Sequence, residues 1–125
     1  MAEASAEMIA KWEEVLNELE LLEEGEHVET HEQGDFWDLG GQHRGHYYFT
    51  DRKVIFVGGF GLNQVAIPYK SIQAIKPCNV SLFIPTGIKV TAINEKGKNQ
   101  NYKLSVMGRK KWMAFLSAKT GIACK

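Results

Sequence analysis

The sequence predicts a mainly β (α+β) domain, a small barrel or sandwich of short strands with a helix at each end. Three observations carry this expectation. From residue 26 onward, β-branched and aromatic runs such as "HYYF", "KVIFV" and "IKVTAI" recur between turns rich in glycine, asparagine and charge. Before residue 26 and after Gly108 the apolar spacing lengthens to that of a helix. Charge also divides by region: residues 1–35 hold twelve acids against Lys11 alone, a net of −11, whereas residues 36–125 carry +11.

The first element is an amphipathic helix within residues 1–25. Met8, Ile9, Trp12, Val15, Leu16, Leu19 and Leu22 fall at spacings of three and four on an acidic rod, and Gly25 is the expected stop. Its stripe has three readings: packing on the domain, a homodimer through the helix, or a mobile cover for the basic half. Barely two heptads are present, too few for a coiled coil.

Residues 26–125 form the second region. "EHVETHEQGDFW" alternates mostly among polar residues and is the weakest strand. "HRGHYYFT", "KVIFV", "QVAIPY", "GIKVTAIN" and "NYKLSVM" are stronger. In the final hairpin, Val90 is expected opposite Leu104 and Ala92 opposite Tyr102, with residues 95–99 as the tip. That register sends Lys89 and Lys103 to solvent, in a basic strip running toward Lys96 and Lys98. The closing helix, "GRKKWMAFLSAKTG", places Trp112, Phe115 and Leu116 on one side.

"GGFGLN", residues 58–63, lacks the third glycine of a dinucleotide loop and the Gly-Lys-Ser/Thr of a P-loop. It joins strand to strand, so its glycines serve a hairpin turn. Phe60 and Leu62 at that tip either fold back over the barrel end or present an apolar tip to a membrane or partner.

The remaining constellations are weak. His27 and His31 lie about 13 Å apart if on a strand, His43 and His46 then face opposite ways, and no cysteine spacing supports zinc; no metal and no cofactor is expected. Cys78 and Cys124 read as free thiols. No nucleophile motif accompanies them, and twelve of the fifteen acids lie in residues 1–35, poor material for a catalytic carboxylate pair in the barrel, so no catalytic residue and no enzyme activity is expected. "GRKKW" begins a helix that must bury Trp112, which argues against a specific nucleic-acid patch. The longest apolar stretch, "VIFVGGFGL", is about half of a membrane span. With an acidic start in place of a signal peptide, the expectation is a cytoplasmic chain, peripheral at most to a membrane.

Across roughly residues 26–118 the chain resembles the GRAM domains of the pleckstrin-homology-like barrels, in their bacterial single-domain form. "GHYYFTDRKVIFV" is similar to the family's glycine, apolar pair, threonine and charged turn. "IPYKSIQAIKP" is similar to its isoleucine-proline segment, and "GIKVTAINEKGKNQNYKLSVMGRKKWMAFL" to its final hairpin and closing helix. The resemblance implies two near-orthogonal antiparallel sheets of about seven strands capped by the C-terminal helix, with Trp112 plugging the barrel. It implies no catalysis. It implies binding of a protein partner or, alternatively, of an anionic membrane surface, the latter through Phe60, Leu62, Lys89, Lys96, Lys98, Lys103 and Arg44. The acidic N-terminal helix, outside the family pattern, then masks that surface.

Overall fold

The computed structural model describes residues 5–38, 41–61, 63–79 and 86–124, with the backbone alone of Phe60. Helix α1 (Ala6–Glu18) is followed by strands β1 (Val28–Asp38), β2 (Gly41–Thr50), β3 (Lys53–Gly58), β4 (Gln64–Pro68), β5 (Ile72–Cys78), β6 (Gly87–Ile93) and β7 (Asn99–Val106). Helix α2 (Arg109–Thr120) ends the chain. The strands pair antiparallel in the order β4-β3-β2-β1-β7-β6-β5. Strand β1 joins the two expected sheets, pairing with β2 along its length and with β7 from Gly34 to Trp37. Gly34 permits that junction, because a Cβ there would stand 2.5 Å from the Ser105 carbonyl oxygen. The weak, polar β1 segment is thus a full strand held by backbone pairing on both sides.

The inner faces meet in a core of Phe36, Tyr47, Phe49, Val54, Phe56, Ile67, Ile75, Ile88, Val90 and Leu104. Helix α2 closes this core: the Trp112 ring stacks on Phe49 with centroids 4.4 Å apart, and Phe115 meets both edge-on. Trp112 and Leu116 are buried and Phe115 is half-buried. Beyond α2, Cys124 bridges to Ile75 on the outer side of β5.

A second core lies outside the sheet. The run Val54-Ile55-Phe56-Val57 is apolar on both faces because both are covered. Val54 and Phe56 point inward, while Ile55 and Val57 join Val28 and Tyr48 beneath Leu16 of α1. Leu16 is fully buried, a contribution of about 1.5–3 kcal/mol. Ile9, Trp12, Leu19, Leu21 and Leu22 surround it, so most of the apolar stripe turns to the barrel and leaves Met8 and Val15 exposed.

Helix α1 starts at Ser5, whose hydroxyl accepts from the Met8 N–H. It stops well before Gly25, which corrects the sequence expectation. The Glu20 N–H bonds the Asn17 carbonyl and the Leu21 N–H the Leu16 carbonyl, a Schellman ending with Glu20 left-handed at φ 59°. Glutamate at that position gives no sequence signal. Leu21 is thereby folded back under the helix, and the chain reaches a buried polar clasp. Lys53 Nζ lies 3.0 Å from Glu26 Oε1, and the Thr50 hydroxyl donates to Glu26 Oε2. The Glu26 side chain is fully buried.

The final hairpin is also corrected, by two residues. Val90 faces Tyr102 and Ile88 faces Leu104, so the tip is 94–98. Asn94 Oδ1 accepts from the N–H groups of Lys96 and Lys98, which starts the turn one residue earlier than its glycine suggests. A shift of two leaves the inward and outward faces unchanged.

Candidate functional site

Strand β4 ends the sheet, and among the described residues no strand pairs with its other side. Gly58 N–H donates to the Asn63 carbonyl and Tyr69 N–H to the Arg52 carbonyl, which fixes the alternation of the ladder between them. Odd-numbered residues of β4 therefore bond β3. The N–H and C=O of Gln64 and Ala66, with the Pro68 carbonyl, point away from β3. They border a groove of about 660 Å³ between β4 and the β6–β7 hairpin. Val65, Ala92, Ile93 and Tyr102 give it an apolar lining, with Glu95 and Lys96 at the hairpin end. Ile93 is one of few large apolar side chains exposed among the described residues.

The outer face of β5–β7 has a different character. The register places Lys76 opposite Lys89 and Lys89 opposite Lys103, three ammonium groups in one row across adjacent strands. Trp37 of β1 continues the row beyond Lys103 and carries a buried indole N–H with no hydrogen-bond partner among the described residues. Like charges directly opposite each other cost up to about 1 kcal/mol per pair before solvent screening. Among the described residues no carboxylate lies within 4 Å of any of the three. Burial pushes the neighbouring Cys78 thiol upward, while Lys103, Lys89 and Arg109 pull it back, so all three cations act on one place. Arg109 reaches it from the start of α2, where Nη1 donates to the Cys78 carbonyl.

Of the described residues singled out in the sequence, Lys89 and Lys103 are brought together and the others lie apart from them. Lys96 and Lys98 lie exposed at the hairpin tip, whereas Lys89 is four residues short of the end of β6, about 13 Å away along the strand. Arg44 is exposed on β2, opposite Asp35. The Phe60 side chain and Leu62 fall outside the described residues; the Gly59–Gly61 turn that precedes Leu62 lies against α1, where a Cβ on Gly61 would meet Leu19 at 3.3 Å. The expected masking by acidic residues falls elsewhere than on the lysine row. Glu23 pairs with Arg52, Glu26 with Lys53 and Glu29 with Lys119.

The histidines pair differently from either spacing considered in the sequence. His31 Nε2 and His46 Nδ1 are 2.8 Å apart, and Trp12 of α1 stacks on His31 with centroids 4.9 Å apart. Among the described residues no three His, Cys, Asp or Glu side chains converge as a metal site. No helix among them is long and apolar enough to cross a membrane.

Sequence reasoning missed Lys76, the β4 edge and the Glu26–Lys53 clasp. The expected β6–β7 register hid the Lys89–Lys103 pair, because with Val90 opposite Leu104 Lys89 would face Ser105; Lys76 joins through the β5–β6 pairing, for which the sequence offered no register.

Comparison with known proteins supports the architecture. No family model matches the sequence, and no curated protein matches it. Among solved structures, the C-terminal domain of an unknown protein from Leishmania infantum superposes with a TM-score of 0.68 at 17% identity, covering 89% of this chain and 95% of that one. The hSac2 domain from human phosphoinositide phosphatase Sac2 gives 0.62 at 13%, covering 99% and 92%. A DH/PH fragment of PDZRHOGEF, solved with human RhoA, gives 0.62 at 8%, covering 94% of this chain and 33% of that one. At these identities the likeness is one of fold: the chain is a pleckstrin-homology-like barrel with an added N-terminal helix.

Proposed function

We propose that this chain is a non-catalytic protein-interaction module of the GRAM type, and that it receives an extended segment of a protein partner along β4. The observation that carries this reading is the unpaired outer side of β4, where Gln64 and Ala66 offer both donors and acceptors beside an apolar groove. An added strand gains affinity from main-chain hydrogen bonds and specificity from alternate side chains. Val65, Ile93 and Tyr102 supply the surface for those side chains. Pro68 withholds one donor, which confines pairing to a short stretch. A DH/PH fragment, 33% of which superposes on this chain, was solved with RhoA.

The test is a short-peptide display library selected on the full chain, with the winners measured against Ala66→Pro. That substitution removes an N–H facing away from β3 and so spares the existing ladder. Expected are micromolar peptides that weaken about tenfold on Ala66→Pro, for one lost charge-free hydrogen bond plus a steric block. They should shift the amide resonances of Gln64 to Ile67 and of Ala92 to Lys96. Peptides that bind Ala66→Pro equally well, or that shift a different surface, overturn the reading.

A further inference from the structure

Two exposed faces play no part in strand addition at β4, and they carry opposite charge. We propose that the solvent side of α1 in one copy of this chain docks on the lysine row of β5–β7 in a second copy, so that the protein associates head to tail with itself.

Charge and spacing on the two faces are complementary. Glu7, Glu14 and Glu18 stand seven and four residues apart, one stripe along the solvent side of α1. All three are exposed, and among the described residues no base lies within 4 Å of any of them. Lys76, Lys89 and Lys103 lack a carboxylate in the same way. Glu7 and Glu14 lie about 10.5 Å apart along a helix axis, while Lys76 and Lys103, two strand spacings apart, are separated by about 9.5 Å. A helix laid across the strands therefore sets an acid over each end of the row.

The apolar side chains divide in the same way. Ile93 borders the β4 groove, and the other large apolar side chains exposed among the described residues are Met8 and Val15 on α1 and Met107 just beyond β7. Met8 and Val15 each follow an acid of the stripe by one residue. Met107 alternates with Lys103 and Ser105, so it lies on the outward face that carries the row.

The contact has to form between molecules. Leu16, fully buried, fixes the opposite side of α1 on the barrel, so the acidic stripe faces away from its own lysine row. The zero net charge of the chain lets copies approach without overall repulsion. Because two different faces meet, each copy keeps one of each free, and the assembly grows as a ring or an open chain. One helix face on three strands is a small interface, so the association is weak and sensitive to salt. Lys11, the one base on α1, lies within the acidic stripe and opposes the contact.

The experiment is sedimentation velocity of the full chain over rising concentration, at low and moderate salt. Expected is an average mass that climbs above that of one chain at low salt and falls back as salt is added. Glu7→Gln/Glu14→Gln/Glu18→Gln and Lys76→Gln/Lys89→Gln/Lys103→Gln should each weaken self-association on the order of tenfold, through loss of three exposed ion pairs. Mixed together, these two variants should form a 1:1 pair with the parental affinity, because each retains the face that the other lacks. Lys11→Gln should tighten the association about twofold. Ala66→Pro should leave it unchanged, which separates this inference from strand addition at β4. A parent that stays monomeric up to millimolar concentration at low salt overturns the proposal. So does a lysine-row variant that associates as the parent does, which would mean that helices meet helices. Loss of association on Ala66→Pro, or a mixture of the two triple variants that forms no pair, overturns it as well.

Discussion

The outer faces of β1–β3 and of β5–β7 belong to one hydrogen-bonded sheet and have opposite fates. On β1–β3 the outward positions hold Val28, Tyr48, Ile55 and Val57, and α1 covers them as a second core. On β5–β7 the outward positions hold Lys76, Lys89 and Lys103, in mutual register. Strand pairing decides which residues point outward; side-chain chemistry then decides whether that side is closed or left to solvent. The zero net charge of the chain conceals the same division. Within the acidic segment Glu23, Glu26 and Glu29 pair with Arg52, Lys53 and Lys119, and among the described residues no such pair reaches the lysine row.

The sharpest way to break this contrast is to remove one member of the Glu26–Lys53 clasp. With the Glu26 side chain fully buried and Lys53 nearly so, Glu26→Leu removes the nearer carboxylate of the Lys53 ammonium, leaving only exposed Glu23 Oε1 at 3.9 Å, and takes the acceptor from the Thr50 hydroxyl and the Glu23 N–H. A cost of about 3–5 kcal/mol is expected from urea denaturation. Glu26→Leu/Lys53→Met should recover most of it, because no charge then remains buried. Removing a lysine from the uncovered face should have the opposite sign and a far smaller size. If Glu26→Leu cost less than about 1 kcal/mol, the clasp would not be what ties the N-terminal segment to the barrel.

How far the fold was legible follows from where its determinants lie. The strands, α2 and the amphipathic α1 are encoded locally, in periodicity and in turn residues. The run "VIFV", apolar at every position, held a signal for a covered outer face at Ile55 and Val57 that the sequence reading did not use. The junction at Gly34, the helix ending at Glu20 and the row at Lys89 depend on partners far away in sequence or on an atypical residue. For the lysine row a displacement of two positions was enough: it preserved every inward and outward assignment of the hairpin and still moved Lys103 off Lys89. Lys89 and Lys103 were placed on one solvent face from the sequence, and that they stand opposite each other beside Lys76 was visible only through pairing.

The helix ending offers a second test of how firmly the covered face is closed. Glu20 holds φ 59° with no packing need for its side chain, which is exposed. A left-handed L-residue costs roughly 1–2 kcal/mol, partly offset in glycine by greater freedom in the unfolded chain. Glu20→Gly should therefore stabilise the protein by about 1 kcal/mol, seen as a rise in urea midpoint at constant slope. It should do so without moving Leu16 or Leu21. A loss of stability would mean that Glu20 contributes through its carboxylate and that the backbone is not its burden.

The smallest expected effect comes from protons, and it too distinguishes the faces. His31 lies between Trp12 of α1 and His46 and Tyr48 of β2, with Glu32 next to it on β1. Burial, then the charge of His46, hold its pKa below the ordinary 6.5, against an opposing pull from Glu32. The unfolded chain therefore takes up this proton at higher pH than the folded one does. As pH falls through 6.5 the unfolded state gains relative stability, until the folded His31 is protonated as well. Helix docking should weaken over that interval, lowering Tm by about a degree or two, because the half-exposed pair is screened by water. Comparing Tm at about pH 7.5 and about pH 5.5 for the parent and for His31→Gln isolates the residue, since carboxylates change little there. The variant should lose part of the acid-induced fall. An identical fall in both would place the pH response elsewhere and leave the Trp12 stack as packing alone.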